Sequence, residues 1–178
     1  MSRVGRQVIT IPSGVTVTVN GNNVTVAGSL GTLSREFDHR IKVVVENNEV
    51  KVLNETNDYE LRKFHGLTRQ LINNMIVGVS KGYEKRLTVN GVGFKITQKG
   101  ADLVLNIGLS HPVELKAEDG ITLSCDKNEI IVKGISKEKV GQFASKVRDL
   151  KPVEPYHAYG IYYSDEHVRR KERKTGKK

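Results

Sequence analysis

Cysteine occurs once in the 178 residues, at Cys125, so an internal disulfide is excluded and no cysteine-built metal cage can form. Tryptophan is absent and aromatic residues make up only 6%, which leaves the cores to aliphatic side chains. No apolar run approaches the ~20 residues that cross a bilayer as a helix. The opening Met1-Ser2-Arg3-Val4-Gly5-Arg6 lacks the apolar stretch of a secretory signal. A cytoplasmic protein without a membrane partner is expected, and on that reading the Asn-x-Thr matches at Asn23 and Asn54 are not modification sites. Acidic residues are also in deficit, 20 against 29 Lys and Arg, for a formal net charge of +9.

What is present describes a folded, soluble chain: 37% hydrophobic and 28% charged residues. Its length suits one large domain or two of about 80 to 90 residues, a size near the lower end of independent stability. The positive charge is concentrated. Between 167 and 178 stand Arg169, Arg170, Lys171, Arg173, Lys174, Lys177 and Lys178 against the single acid Glu172, so +6 of the +9 lies in this tail. A nearly neutral body with a cationic end favours a polyanionic partner.

The body contains a repeat. Gly14-Val-Thr-Val-Thr-Val-Asn-Gly-Asn-Asn-Val-Thr-Val-Ala-Gly28 aligns without a gap on Gly120-Ile-Thr-Leu-Ser-Cys-Asp-Lys-Asn-Glu-Ile-Ile-Val-Lys-Gly134. Apolar positions coincide, Val15 with Ile121, Val17 with Leu123, Val24 with Ile130 and Val26 with Val132. Each copy reads as a β-hairpin whose alternating strands flank a four-residue polar loop, 20–23 or 126–129. All hairpins share such a pattern, but an amphipathic helix follows each copy, which favours duplication.

The first helix is predicted to start near Asn57, capped by Thr56 or Asn57. Leu61, Phe64, Thr68, Leu71, Ile72, Met75 and Val79 recur at spacings of three and four on one face. Gly82 is the predicted stop. The second helix follows Ser136, carries Val140, Phe143, Ala144 and Val147 on one stripe, and ends at Lys151-Pro152, where proline breaks the hydrogen-bond ladder. Strands are predicted at 33–37, 41–45 and 50–53 in the first half, and at 85–89, 92–96, 103–106 and 113–115 in the second. Asn90-Gly91 and Lys99-Gly100 are turn signals. The expected class is α+β: two tandem similar domains, 1–82 and 83–166, each an antiparallel sheet with a helix on one face, followed by the basic tail 167–178. With almost no linker at Gly82, a fixed orientation of the halves is expected.

Several long segments carry a resemblance. His65-Gly66-Leu67-Thr68-Arg69-Gln70-Leu71-Ile72-Asn73-Asn74-Met75, then Gly78-Val79 and Val89-Asn90-Gly91-Val92-Gly93-Phe94, are similar to the bacterial large-subunit ribosomal protein L-six family. So are Asn106-Ile107-Gly108-Leu109-Ser110-His111-Pro112-Val113, Gly134-Ile135-Ser136-Lys137 and the opening Ser2-Arg3-Val4-Gly5. The resemblance covers essentially the whole chain. It implies two similar α+β domains that bind 23S ribosomal RNA near the sarcin–ricin loop and the base of the factor-binding stalk, among neighbouring large-subunit proteins, in subunit assembly and translation. One segment departs. The family reads Pro-Glu-Pro-Tyr-Lys-Gly-Lys-Gly-Ile where this chain reads Val153-Glu154-Pro155-Tyr156-His157-Ala158-Tyr159-Gly160-Ile161. Both lysines are gone, Tyr162 stands for the family's usual Arg, and Arg173 replaces a Gly. A solvated histidine is mostly neutral at pH 7, so up to three cationic contacts are missing here.

The candidate RNA-binding residues are Arg3, Arg6, Lys151, Tyr156, His157, Tyr159, Gly160, Arg169, Arg170, Lys171, Arg173, Lys174, Lys177 and Lys178. Lys and Arg on phosphates release counterions and bind tightly but salt-sensitively. Tyrosine rings can stack on unpaired bases or riboses. They also suit an edge strand, and for Tyr156, Tyr159, Tyr162 and Tyr163 both readings stay open. No catalytic residue, cofactor, metal or small-molecule substrate is expected. Gly91-Val92-Gly93 lacks a following Gly-Lys-Ser/Thr and precedes a strand, so it reads as a tight turn rather than a phosphate loop. His39, His65, His111, His157 and His167 never fall at ligand spacing, and His65 leads into the apolar helix face. Cys125 has no neighbouring base and reads as a small strand residue. Two rivals remain for comparison. A small hydrolase or transferase using Cys125 or a histidine needs a pocket of convergent polar groups. A protein–protein module steered by its tail would lack RNA in native complexes.

Overall fold

The structure is a computed structural model that describes residues 2–54 and 61–172. Its contacts group the chain into two units, Met1–Tyr83 with Ile135–Lys137, and Glu84–Gly134 with Glu138–Lys178.

Unit 1 holds six strands: β1 (Ile9–Thr10), β2 (Thr16–Asn20), β3 (Asn23–Gly28), β4 (Gly31–Glu36), β5 (Lys42–Glu46) and β6 (Glu49–Leu53), with helix α1 described over Leu61–Ser80. They make two three-stranded antiparallel sheets, β2-β3-β4 and β1-β6-β5. Alternation explains the inner faces: on β3 Val24 and Val26 are buried while Asn23 is exposed, and on β6 Val50 and Val52 are buried between half-exposed neighbours. The helix buries Leu61, Thr68, Ile72, Met75 and Val79, with Phe64 and Leu71 partly buried against the same core. Each fully buried Val or Ile contributes about 1.5–3 kcal/mol. The predicted cap at Thr56 or Asn57 lies outside the described residues.

Unit 2 holds β7 (Tyr83–Asn90), β8 (Lys95–Lys99), β9 (Asp102–Asn106), β10 (Val113–Leu115), β11 (Ile121–Asp126), β12 (Glu129–Gly134), α2 (Lys137–Asp149) and β13 (Gly160–Tyr163). One sheet runs β10-β9-β8 and the other β11-β12-β7-β13. The helix buries Val140, Phe143, Ala144 and Val147, the stripe predicted for it.

The α+β class and the two related halves are as the sequence predicts, with three corrections. Each unit has two sheets rather than one: β4 joins the repeated hairpin in unit 1 and β7 with β13 joins it in unit 2, while the three remaining strands of each unit pair among themselves. The polar loops are two residues, not four: Asn20 pairs with Asn23 and Asp126 with Glu129, leaving Gly21-Asn22 and Lys127-Asn128 as the turns. Residues 92–94 form a turn instead of opening a strand, with the Phe94 amide donating to the Gly91 carbonyl at 3.3 Å and Val92 82% exposed. The two hairpins share their turns and the bounds of β3 and β12 at one constant offset, β11 starting one residue earlier than β2, and Gly14 and Gly120 share φ near +83° and +82°. The short β1 had no sequence signal.

Candidate nucleic-acid interface

The segment after α2 in unit 2 is shaped by backbone constraints. The Ile161 amide donates to the Lys151 carbonyl at 2.8 Å and the Glu154 amide to the Tyr159 carbonyl at 3.0 Å, so 151–161 folds back on itself. Gly160 sits at the crossing with φ +145°. A Cβ there would lie 2.7 Å from the Val153 Cα, 2.8 Å from the Pro152 carbonyl oxygen and 2.9 Å from that of Lys151, so only glycine fits. From Gly160 the chain becomes β13 and pairs antiparallel with β7, Gly160 opposite Asn90 through Tyr163 opposite Leu87. Ile161 is fully buried and anchors the strand.

One residue before Gly160 but one, the buried Ala158 has φ +61°, and its carbonyl accepts from the Asn90 side-chain amide at 3.0 Å. An L-residue there costs about 1–2 kcal/mol. The family signature has glycine at this place, so the departure is conformational as well as electrostatic.

The folded-back loop presents aromatic surface. Tyr156 is 48% and Tyr159 36% exposed. The His157 and Tyr159 rings are stacked, centroids 5.2 Å apart and planes 19° from parallel. His157 donates from its amide and from ring Nδ1 to the Glu154 carboxylate, both at 2.8 Å, which fixes the imidazole beside Tyr159. The Lys171 amide donates to the Pro155 carbonyl at 2.8 Å and brings the exposed Arg169, Arg170 and Lys171 to this loop. Upstream, Arg148 grips Glu166 through two hydrogen bonds of 3.0 and 2.6 Å, and the Tyr163 amide points at the same carboxylate at 3.3 Å. The guanidinium holds the Glu166 carboxyl below its ordinary range against a smaller opposing effect of burial.

Lys151, Tyr156, His157, Tyr159, Gly160, Arg169, Arg170 and Lys171 thus share one surface segment of unit 2, with Gly160 buried as its pivot. Arg3 and Arg6 are exposed residues of unit 1. Arg173, Lys174, Lys177 and Lys178 lie outside the described residues. Tyr162 and Tyr163 are half-buried on β13, an edge strand, and Tyr163 packs under Lys85 and Arg148 at 5.4 and 5.9 Å. Those two suit the edge-strand reading; Tyr156 and Tyr159 stand outside the strand.

Other candidates resolve simply. Cys125 is a half-buried β11 residue whose amide donates to Gln98 at 3.2 Å. His65 is buried and its Nε2 donates to the Val52 carbonyl at 2.9 Å. Among the described residues no three His, Cys, Asp or Glu side chains come together as a metal would need, and no helix is long and apolar enough to cross a membrane. Sequence reasoning missed Asn54, whose buried side-chain amide has no hydrogen-bond partner among the described residues. Its only signal was a polar residue ending an alternating strand.

Comparison with known proteins agrees with this architecture. The family model for ribosomal protein L6 matches twice, at residues 11–82 and 90–164, as an internal duplication predicts. Large ribosomal subunit protein uL6 of Staphylococcus epidermidis is 53% identical over 178 residues, spanning 99% of this chain and 100% of that protein. The uL6 protein of Staphylococcus aureus matches at the same identity and coverage. Two tandem matches to one model, and relatives aligned end to end, show that the chain belongs to the ribosomal protein L6 family.

Proposed function

We propose that this chain is a structural constituent of the large ribosomal subunit, a non-catalytic protein that binds 23S ribosomal RNA near the sarcin–ricin loop and the factor-binding stalk base. Neighbouring large-subunit proteins complete its surroundings, and its place is the cytoplasmic ribosome, in subunit assembly and translation. Family membership supports the assembly. The observation that carries the RNA contact is the Lys171–Pro155 backbone bond, which joins three exposed cations to a loop of exposed rings. Cations neutralise phosphates while rings cover unstacked bases or riboses, the combination that single-stranded RNA and irregular loops require. The sequence of the tail 167–178 adds further positive charge, +6 in twelve residues. In this reading residues 1–82 are the scaffold and 83–166 the RNA-binding half.

The test is deletion of 167–178 followed by RNA binding across salt. With about five phosphates neutralised, the intact protein loses on the order of 10²–10³ in affinity between 50 and 200 mM salt. The truncated chain binds more weakly and with a flatter slope. An unchanged slope refutes the tail's role; a full-length chain indifferent to RNA and absent from purified large subunits refutes the whole reading.

A further inference from the structure

Among the described residues four other than glycine have positive φ: Asn47, Asn48, Lys127 and Ala158. The first three occupy two-residue hairpin turns, Asn47-Asn48 between β5 and β6 and Lys127 between β11 and β12, where such angles are favoured. Ala158 is the exception. It lies in no hairpin turn, and its methyl cannot bond locally as an Asn or Asp side chain does. It is 2% exposed, with φ +61°. A strained backbone of this kind persists only where its surroundings hold it.

What holds it is a side chain from β7. Asn90 donates from Nδ2 to the Ala158 carbonyl at 3.0 Å, from 68 residues away along the chain. Because a carbonyl only accepts, the amide nitrogen is the atom that must face it. The Asn90 backbone lies opposite Gly160 in the ladder of β7 and β13, so one residue fixes the loop on both sides of Tyr159. Ala158 also stands between the stacked rings of His157 and Tyr159, whose centroids are 5.2 Å apart. Its φ therefore sets how one ring meets the other. Glu154 secures the far side of the loop, accepting from the His157 amide and ring and donating its own amide to the Tyr159 carbonyl.

We propose that Asn90 is the positioning residue of the RNA-facing loop: its amide holds Ala158 left-handed and so keeps His157 and Tyr159 presented as one preformed aromatic surface. The proposal rests on the RNA-binding reading of this loop and adds what preorganises it. A left-handed L-residue is disfavoured about five- to thirtyfold. A hydrogen bond of this kind favours its conformation about two- to tenfold. The two effects are comparable, so loss of the bond repopulates other conformers. Apparent affinity then falls with the fraction of loops still competent to bind. Glycine at 158 would carry no penalty in the left-handed region. The demand on Asn90 is thus a consequence of alanine at this position.

The experiment uses isotope-labelled full-length protein carrying Asn90→Ala, Ala158→Gly or both, with ribosomal RNA binding measured across salt. Asn90→Ala should weaken binding about two- to tenfold at every salt concentration and keep the tail-dependent slope, because Asn90 is uncharged. In the Ala158→Gly background the same replacement should change affinity less than about twofold. NMR of the RNA-free protein should show the ring-current shift of the His157 ring protons diminished by Asn90→Ala and restored in the double variant. Asn90→Ser, whose hydroxyl stops short of the Ala158 carbonyl, should repeat the loss with a second, turn-tolerant side chain. Unchanged affinity and His157 shifts in both single replacements of Asn90 overturn the proposal. So does a loss that Ala158→Gly fails to rescue, the mark of an Asn90 that is merely structural or touches RNA itself. Failure of these comparisons while the wild type still binds ribosomal RNA removes only the Asn90 assignment; a wild type indifferent to that RNA removes the binding reading itself.

Discussion

Replacing Gly160 with alanine makes two demands on the segment at once. The backbone at φ +145° is a conformation that L side chains rarely adopt, which costs about 1–3 kcal/mol. The new methyl also meets three backbone atoms between 2.7 and 2.9 Å, belonging to Lys151, Pro152 and Val153. No flexible side chain can swing aside, so the strand must move, at about 1–3 kcal/mol for overpacking of this kind. Together they come to roughly 3 kcal/mol or more. For a unit of about 90 residues, 1 kcal/mol shifts the melting temperature by about 4–8 °C, so the unit 2 transition should fall by roughly 10 °C or more. The assay is calorimetry of the full chain, paired with hydrogen exchange at the Ile161 amide, whose bond to Lys151 is the first to stretch. Gly141→Ala is the control: Gly141 lies in α2, and a Cβ there meets nothing within 4 Å. An unchanged melting temperature and undiminished Ile161 protection in Gly160→Ala would refute the reasoning.

That control is itself a prediction, since alanine in an open helix position should stabilise unit 2 by about 0.5–1 kcal/mol, read in the same scan. Glu166→Gln should cost on the order of 0.5–1 kcal/mol at neutral pH, as expected for a partly exposed bidentate pair. The Glu166 pKa is lowered on folding, so its contribution is whole above the ordinary 4.5 and fades as pH falls through the folded value. Stability curves of wild type and Glu166→Gln should therefore converge below about pH 4.5; a constant gap would contradict the pairing. His157→Lys with Tyr159→Lys should strengthen RNA binding and steepen its salt slope by up to about two phosphates' worth. No gain in filter binding would show that this loop does not face phosphate, or that its rings already supply the contact.

Much of the fold was legible because its signals are local. The α1 and α2 faces follow from spacings of three and four, and the hairpins from alternation bracketed by turn residues. Pairing between hairpin and outer strands was not legible, because both β7 and β8 show acceptable alternation and nothing local says that they part into different sheets. The missing signal for β1 has the same cause: two residues gain strand character only through β6. In the candidate segment, residue types revealed cations and rings, but not that Lys171 returns to Pro155 through a bond between backbone groups. Nor did composition show the left-handed Ala158 or the unpaired Asn54, whose meaning lies in the backbone angle and in absent neighbours.

The duplicated hairpin has different third strands in its two settings. Beside β3 lies β4, the next strand in the chain, and the sheet ends there. Beside β12 lies β7, which arrives from far earlier in the sequence and leaves its outer edge open to β13. One plan thus stops at three strands in the first half and continues to a fourth in the second. The second accepts a late strand and, with it, everything tethered before and after that strand. That sheet margin is where an engineer seeking to graft a new recognition loop onto this scaffold should begin.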